Sequence, residues 1–96
     1  MTAINVVRFR VKPGMDQVFL AAHRGGNVAW PGLSRGVIVD AGERSYFLVG
    51  EWPDMTTLAG ARVPMIATLD TFRHALEDAG HGVTDAVSGT VTLALK

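Results

Sequence analysis

Cysteine is absent from the sequence, which excludes disulfide bonds, thiolate catalysis and cysteine-based metal sites. An excess of charge of either sign is also absent, because nine basic residues balance nine acidic ones. The arginines are scattered, whereas a nucleic-acid-binding surface requires clustered lysine and arginine. No apolar run reaches the length of about 18 residues that indicates a transmembrane helix. The start, MTAINVVRFR, lacks the layout of a signal peptide, so we expect a cytoplasmic protein that binds neither nucleic acid nor membrane.

Apolar side chains, in contrast, are abundant and make up 48% of the 96 residues. We expect residues 1–96 to form one domain. A chain of this size buries only a modest fraction of its surface, so the high apolar content indicates a second apolar face that needs a cover. A second copy of the chain, in a homodimer, would provide that cover.

A strand and then a helix are predicted near the N-terminus. Ala3–Val11 is rich in β-branched residues and predicts a strand, which Pro13 and Gly14 end. Strand alternation places four residues on the expected core face: Asn5, Val7, Phe9 and Val11. Met15–Arg24 has apolar residues at three- and four-residue spacing, which is typical of a helix, and Gly25-Gly26 stops it.

A hairpin is predicted in the middle of the chain. Two β-rich segments, Leu33–Asp40 and Arg44–Trp52, are separated by a short turn at Ala41-Gly42-Glu43. The second of these strands carries apolar residues on both faces, which indicates a sheet that is covered on both sides.

Two helical segments and a last strand are predicted for the rest of the chain. Asp54 is a plausible N-cap for a short helix that runs to Arg62, and a second helical segment spans Pro64–Ala79. The apolar stripe of the second segment consists of Met65, Leu69, Phe72, Leu76 and Ala79. The stretch HGVTDAVSG predicts a loop or a weak strand start, and Thr90–Leu95 alternates like a final strand.

This order of elements, β-α-β-β-α-β, predicts an α+β fold of the split βαβ type. Its four strands form an antiparallel sheet, and its helices cover one face of that sheet. The other face also carries large apolar residues, so two such sheets that face each other would bury both.

Four stretches of the chain together show a family pattern: VVRFRVKPGMDQVFLAA, WPGLSRGVIV, SYFLVGEWPDMTTL and MIATLDTFRHAL. In the order and spacing of these stretches the chain resembles the antibiotic biosynthesis monooxygenase-like family of the dimeric α/β-barrel superfamily. The resemblance covers residues 4–80, with a compatible last strand. It implies a ferredoxin-like sandwich, a homodimer in which two sheets form a barrel, and one pocket per subunit between the sheet and the helices.

The resemblance also implies an activity. Some members of the superfamily oxidise polycyclic aromatic phenols with O₂ and without a metal or flavin. We therefore expect a cofactor-independent monooxygenase that acts on a small aromatic or quinol-type substrate. In such an enzyme the protein binds the substrate, deprotonates it and stabilises the resulting anion. No histidines and carboxylates show the spacing of a metal site, so we expect no metal ligand.

Such a pocket needs aromatic walls and a few polar groups. The expected pocket residues are Asn5, Trp30, Tyr46, Trp52 and Phe72. Arg62, close to Pro64, could hold an anionic substrate oxygen. His74 is the expected base, because histidine titrates near neutral pH, and Asp70 one helical turn earlier could orient it.

Each of these residues also has a plainer structural explanation. The aromatic residues could pack in the core or on a partner subunit, and the charged ones could lie on a solvated surface. The helix dipole explains His23 near the end of the first helix, and a loop position explains His81.

Two other functions remain open. The first is a non-catalytic or regulatory dimer that binds a small apolar ligand. The second is haem degradation, which another branch of the family performs with a strand asparagine, a helical tryptophan and a histidine iron ligand. In this chain the expected asparagine position falls near Val7 rather than Asn5, the tryptophan position falls near Ala61, and His74 matches the ligand only roughly.

Overall fold

The computed structural model describes residues 1–24, 28–78, 80 and 82–96 of the chain. Its elements are β1 (Ala3–Arg10), α1 (Asp16–Ala21), β2 (Arg35–Gly42), β3 (Ser45–Trp52), α2 (Met55–Gly60), α3 (Arg62–Phe72), a 3-10 turn (Arg73–Ala75) and β4 (Thr84–Thr90). This order confirms the predicted α+β, ferredoxin-like fold. In the described part of the chain, no helix has the length and apolar character needed to cross a membrane.

One antiparallel sheet organises the molecule, with the strand order β2-β3-β1-β4. The central strand β1 pairs with β3 on one side and β4 on the other, so that Val7 lies opposite both Leu48 and Ala86. Residues of β3 alternate strictly between buried and partly exposed. This alternation distinguishes a face covered by helices from an open face.

The core lies between the covered face and the helices, and aromatic rings form its centre. Phe19 of α1 packs against Phe9 of β1 and Phe72 of α3, with ring centroids 5.2 and 5.3 Å apart. Tyr46 of β3 closes the cluster at 4.9 Å from Phe19. These tilted and edge-on contacts favour a fixed arrangement of four elements. The predicted core face of β1 is confirmed, and it includes the buried Asn5.

The prediction of a last strand at Thr90–Leu95 is wrong, because β4 spans Thr84–Thr90. Seven residues of β4 pair with β1, ending at the pair Ala3–Thr90 where β1 begins. One further backbone bond joins the Val91 amide to the Thr2 carbonyl, at 2.8 Å. Among the described residues, those after Val91 pair with no strand, so their alternation does not correspond to a strand. The segment TDAVSGT has weak β propensity, but it forms a strand because it can pair with β1.

The helices predicted over Met15–Arg24 and Pro64–Ala79 both end earlier than predicted. α1 stops at Ala21, and α3 stops at Phe72 rather than Ala79. After α3 the backbone bonds to the end of β1 instead of continuing the helix: the Glu77 amide donates to the Arg10 carbonyl at 2.7 Å. The predicted positions Gly25, Gly26, Ala79 and His81 lie outside the described residues.

The hairpin turn lies two residues later than predicted, because Ala41 and Gly42 belong to β2. Its central residues, Glu43 and Arg44, have φ values of 53° and 65°. Two consecutive left-handed residues define a type I′ turn, which matches the twist of the flanking strands. Arg44 is held there by hydrogen bonds from Nη1 to the Val11 carbonyl, at 2.9 Å, and to Glu77, at 3.1 Å.

The open face of the sheet carries a straight row of valines, one from each strand. This valine row consists of Val37, Val49, Val6 and Val87, which lie side by side in the pairing register. Opposite charges flank the row in the same register, with Arg35 beside Glu51 and Arg8 beside Asp85. The face thus combines a central row of valines with flanking rows that hold these charged pairs and also apolar residues, among them Ile4 and Phe47.

Candidate functional site

A cavity of about 700 Å³ lies between the sheet and the helices. Its floor comes from β1 and β4, and its walls come from α2, α3 and the segments that carry His23 and Trp30. Volumes of this size are typical of small-molecule sites. The cavity forms here because the helices pack over β1 and β3, while residues of β4 remain largely exposed.

Asn5 provides a fixed polar group on the floor of the cavity. Its side chain is only 6% exposed, and its Oδ1 accepts a hydrogen bond from the Trp52 indole nitrogen at 2.8 Å. That bond orients the amide so that Nδ2 faces the thioether of Met65, at 3.9 Å. A thioether is a weak acceptor, so the Asn5 amide keeps donor capacity for a ligand oxygen.

Gly50 makes room for this arrangement. A Cβ at Gly50 would overlap Asn5 Oδ1 and lie 3.0 Å from the Trp52 indole nitrogen. Because Gly50 has no side chain, the hydrogen-bonded side chains of Asn5 and Trp52 can lie close to the backbone of β3.

Trp30 is buried and forms part of the wall, although it comes from a loop. Its indole nitrogen donates to the Thr68 hydroxyl at 2.9 Å, and that hydroxyl donates to the Pro64 carbonyl at 3.2 Å. The chain of two bonds fixes the indole against α3. Trp30 thus supplies a rigid aromatic surface to the cavity.

The charged residues that line the cavity are both cationic: Arg62 and Arg73. Arg73 pairs with Asp70 at 2.8 Å, whereas Arg62 has no ion-pair partner among the described residues. The described lining includes no carboxylate. The charge distribution therefore favours an anionic ligand group near the mouth of the cavity, where Arg62 is exposed.

His23 is a cavity residue that the sequence interpretation assigned to the helix dipole. Its ring lies 4.7 Å from that of Phe72 and 4.9 Å from that of Phe19, measured between centroids. Burial lowers the pKa of His23 below its ordinary value of 6.5, and the hydrogen bond with the Phe19 carbonyl opposes this only in part. The imidazole is therefore neutral at pH 7.

Four of the seven predicted site residues line the cavity: Asn5, Trp30, Arg62 and Phe72. Two others lie behind the wall. Trp52 is fully buried beneath Asn5, and Tyr46 donates to Asp16 at 2.6 Å on the other side of the core. That hydrogen bond raises the pKa of Tyr46 to about 12, so the phenol stays neutral.

His74 does not line the cavity; it is exposed on the 3-10 turn after α3. Asp70, expected to orient it, accepts from Arg73 instead, at 2.8 Å. The end of α3 explains both observations, because the i,i+4 spacing that would join Asp70 to His74 holds only within a continuous α-helix. Across the described residues, no group of three or more histidine, aspartate or glutamate side chains is placed to hold a metal ion.

The sequence did contain a signal for His23. It lies four residues after Phe19 and eight after Met15, on the apolar face of the predicted helix. A polar residue on a core-facing stripe is a candidate pocket residue. The cavity residues of β4, including Thr84 and Ser88, carried no comparable signal, because the strand was predicted elsewhere.

No protein-family model matches the sequence, and comparison with curated proteins finds no match. Solved structures do match. A proposed antibiotic biosynthesis monooxygenase from Nitrosomonas europaea is 15% identical, with a TM-score of 0.76 over 95% of this chain and 90% of that chain. A second such protein, from Chloroflexus aurantiacus, is 10% identical, with a TM-score of 0.73 over 98% and 96%.

A third similar structure is that of SnoaB from Streptomyces nogalater, described as a cofactor-independent oxygenase. It is 17% identical, with a TM-score of 0.68, and the match covers 98% of this chain and 96% of that chain. At these identities the comparisons establish the fold. The chain has the fold of antibiotic biosynthesis monooxygenase-like proteins, as the sequence resemblance implied.

Proposed function

We propose that this protein is a cofactor-independent monooxygenase that oxidises a small aromatic phenol or quinol with O₂. The observation that carries the proposal is the cavity: an aromatic and aliphatic space of about 700 Å³ that has an amide donor and cationic groups but no carboxylate among its described lining. A neutral aromatic ring can pack against the apolar walls, and the positive charges of Arg62 and Arg73 would stabilise the anion formed from it. The fold supports the proposal, since a similarly folded protein is described as a cofactor-independent oxygenase.

The electron transfer in this reaction takes place between the substrate anion and O₂, without a further redox group. Loss of a proton converts the phenol into a delocalised anion, which transfers an electron to O₂. Coupling of the two radicals forms a carbon–oxygen bond, and proton transfers with loss of water leave a quinone. For a naphthol, one naphthol and one O₂ give one naphthoquinone and one water. The protein contributes binding, deprotonation and stabilisation of the anion.

The Asn5 amide and Arg62 have complementary parts in this scheme. Asn5 can donate to a substrate oxygen from a buried, preoriented position, where a hydrogen bond to a developing anion is strong. Arg62 supplies a positive charge at the mouth. Trp30 and Phe72 provide flat surfaces for the ring.

A homodimer is part of the proposal. The valine row and the charged pairs beside it lie on the face that the helices leave open, and a second copy docked there would cover this apolar surface. The dimer would place the two cavities on opposite sides of a shared sheet interface.

The direct test measures oxygen uptake and quinone formation with anthrone and naphthol substrates. Uptake of one O₂ per quinone formed, above the rate without protein, is the expected result. Ligand binding without uptake would support a non-catalytic binding protein instead. A shift of the haem absorption band on titration with haem would favour the haem alternative.

Arg62→Gln tests the charge at the mouth of the cavity. We expect binding of 1-naphthoate to weaken by about two- to fivefold, as for a partly exposed ion pair. Binding of 1-naphthol, which is neutral at pH 7, should change little. Calorimetric titration of both ligands measures the difference, and Arg24→Gln, an exposed arginine that does not line the cavity, is the matched control. Equal losses for both ligands would contradict the electrostatic role.

A further inference from the structure

His23 has a defined tautomer because of its hydrogen bond. Its Nδ1 lies 2.9 Å from the Phe19 carbonyl oxygen, one helical turn earlier. A carbonyl oxygen can only accept, so Nδ1 must carry the proton. In the neutral ring Nε2 then holds the lone pair, and no described residue makes a hydrogen bond with it.

The imidazole ring of His23 lies where a ligand bound in the cavity could contact it. The imidazole is part of the cavity wall, next to Phe9 and Phe72. Asn5 lies four residues from Phe9 along β1, which places the two ends of the floor about 13 Å apart at strand spacing. The cavity therefore has a proton acceptor at one end and an amide donor at the other.

We propose that His23, through Nε2, is the catalytic base that removes the proton from the bound aromatic substrate. The proposal rests on the function proposed above and adds the residue that performs its first step. In that step a C–H or O–H bond of the substrate breaks, the proton goes to Nε2, and the electron pair spreads over the ring and its oxygen. The cationic lining favours the anion so formed.

The surroundings of His23 suit this role. Three phenylalanine rings, from β1, α1 and α3, face the imidazole. The charged groups that share its cavity are Arg62 and Arg73, and Tyr46 beyond Phe19 stays neutral because its pKa is about 12. Burial among these groups keeps the pKa of His23 below 6.5, so Nε2 is unprotonated at neutral pH.

Deuterium exchange at the methylene carbon of anthrone tests proton removal without oxidation. The protein is incubated with anthrone in D₂O under argon, and mass spectrometry follows deuterium incorporation. The wild type should accelerate exchange, and the rate should rise with pH, with its half-maximal value at a pH below 6.5, because burial lowers the pKa of His23 from that ordinary value. His23→Gln should lower the rate at saturating anthrone about 100-fold or more, as for loss of a general base, and change anthrone affinity less than about threefold.

His74→Gln is the matched comparison, since it makes the same substitution at the exposed histidine, and its exchange rate should equal that of the wild type. A rate unchanged in His23→Gln, or lost in His74→Gln, would overturn the role of His23. If His23→Gln does not fold, ¹⁵N NMR of the wild-type ring decides: the Nδ1–H tautomer is expected, and the Nε2–H tautomer would overturn the proposal.

Failure of the two proposals gives different results. Exchange that depends on His23, without oxygen uptake in air, would retain the base and reject the oxygenase. Oxygen uptake that is insensitive to His23→Gln would retain the oxygenase and reject the base. If anthrone and naphthols do not bind at all, the aromatic substrate is rejected, and the role of His23 with it.

Discussion

At the scale of single residues, the site depends on polar groups whose orientation the core fixes. Asn5 could be predicted from the sequence, because an amide on an otherwise apolar strand face requires partners. The identity of those partners could not, since Trp52 and Met65 lie 47 and 60 residues away along the chain. The position of His23 in the cavity wall could not be predicted for a related reason: the local helix pattern accounts for this residue, whereas its packing against Phe9 and Phe72 depends on distant parts of the chain.

Gly50→Ala tests the arrangement of Asn5 and Trp52. The new methyl group would overlap Asn5 Oδ1, so either the amide or the strand must move. We expect the free energy of unfolding to fall by about 1–3 kcal/mol, as for overpacking in a core. Affinity for aromatic ligands should fall too, because the displaced amide enters the cavity. Urea unfolding and ligand titration measure the two effects.

The control for this substitution is Gly89→Ala. Gly89 also lies within a strand, and a Cβ at this position would have no other atom within 4 Å. Its stability should stay within about 0.5 kcal/mol of the wild type, as for exposed positions generally. Similar losses at both glycines would show that the Asn5–Trp52 pair is not the cause.

At the scale of elements, the number, order and type of the helices and strands were predictable from apolar periodicity and from proline and glycine. Their ends were less predictable, because tertiary pairing decides them. β4 lies where β1 offers a partner, and α3 stops where its following backbone can bond to Arg10 and Lys12. The hairpin turn shows the same effect, since Glu43 and Arg44 are not residues that a type I′ turn favours.

Glu43→Asn should stabilise this hairpin. Glu43 has a φ of 53°, and asparagine adopts the left-handed conformation more readily than glutamate. We expect the free energy of unfolding to rise by about 0.5 kcal/mol, which thermal or urea unfolding can measure. Glu43→Gln removes the same charge without changing the backbone preference, and it should have little effect. Equal stabilisation by both variants would assign the gain to charge rather than to backbone conformation.

At the scale of the whole molecule, the sheet has one face covered by its own helices and one face open. The sequence predicted this asymmetry, because β3 is apolar on both sides while the helices can cover only one. It did not show that the four valines would align, since that alignment depends on the register of all three strand pairs. The register converts scattered valines into a continuous apolar centre, which is the property that a self-associating face needs.

Val6→Asp tests whether this face holds two copies together. Val6 occupies a central strand and lies beside both Val49 and Val87, so an aspartate there would bury an unpaired carboxylate in the interface. Such burial costs several kcal/mol, and we expect the dimer dissociation constant to rise about 100-fold or more. Sedimentation or light scattering over a range of concentrations would measure the change from dimer to monomer.

Val63→Asp is the matched control, because Val63 is 77% exposed on α3, away from the open face of the sheet. It should leave the dimer intact. If the wild type is monomeric at all concentrations, the open face has another role. If Val63→Asp dissociates the dimer and Val6→Asp does not, the two copies associate through their helices. In that second case the partner would cover the helix side of the sheet, where the cavities lie, and access to the exposed Arg62 would change.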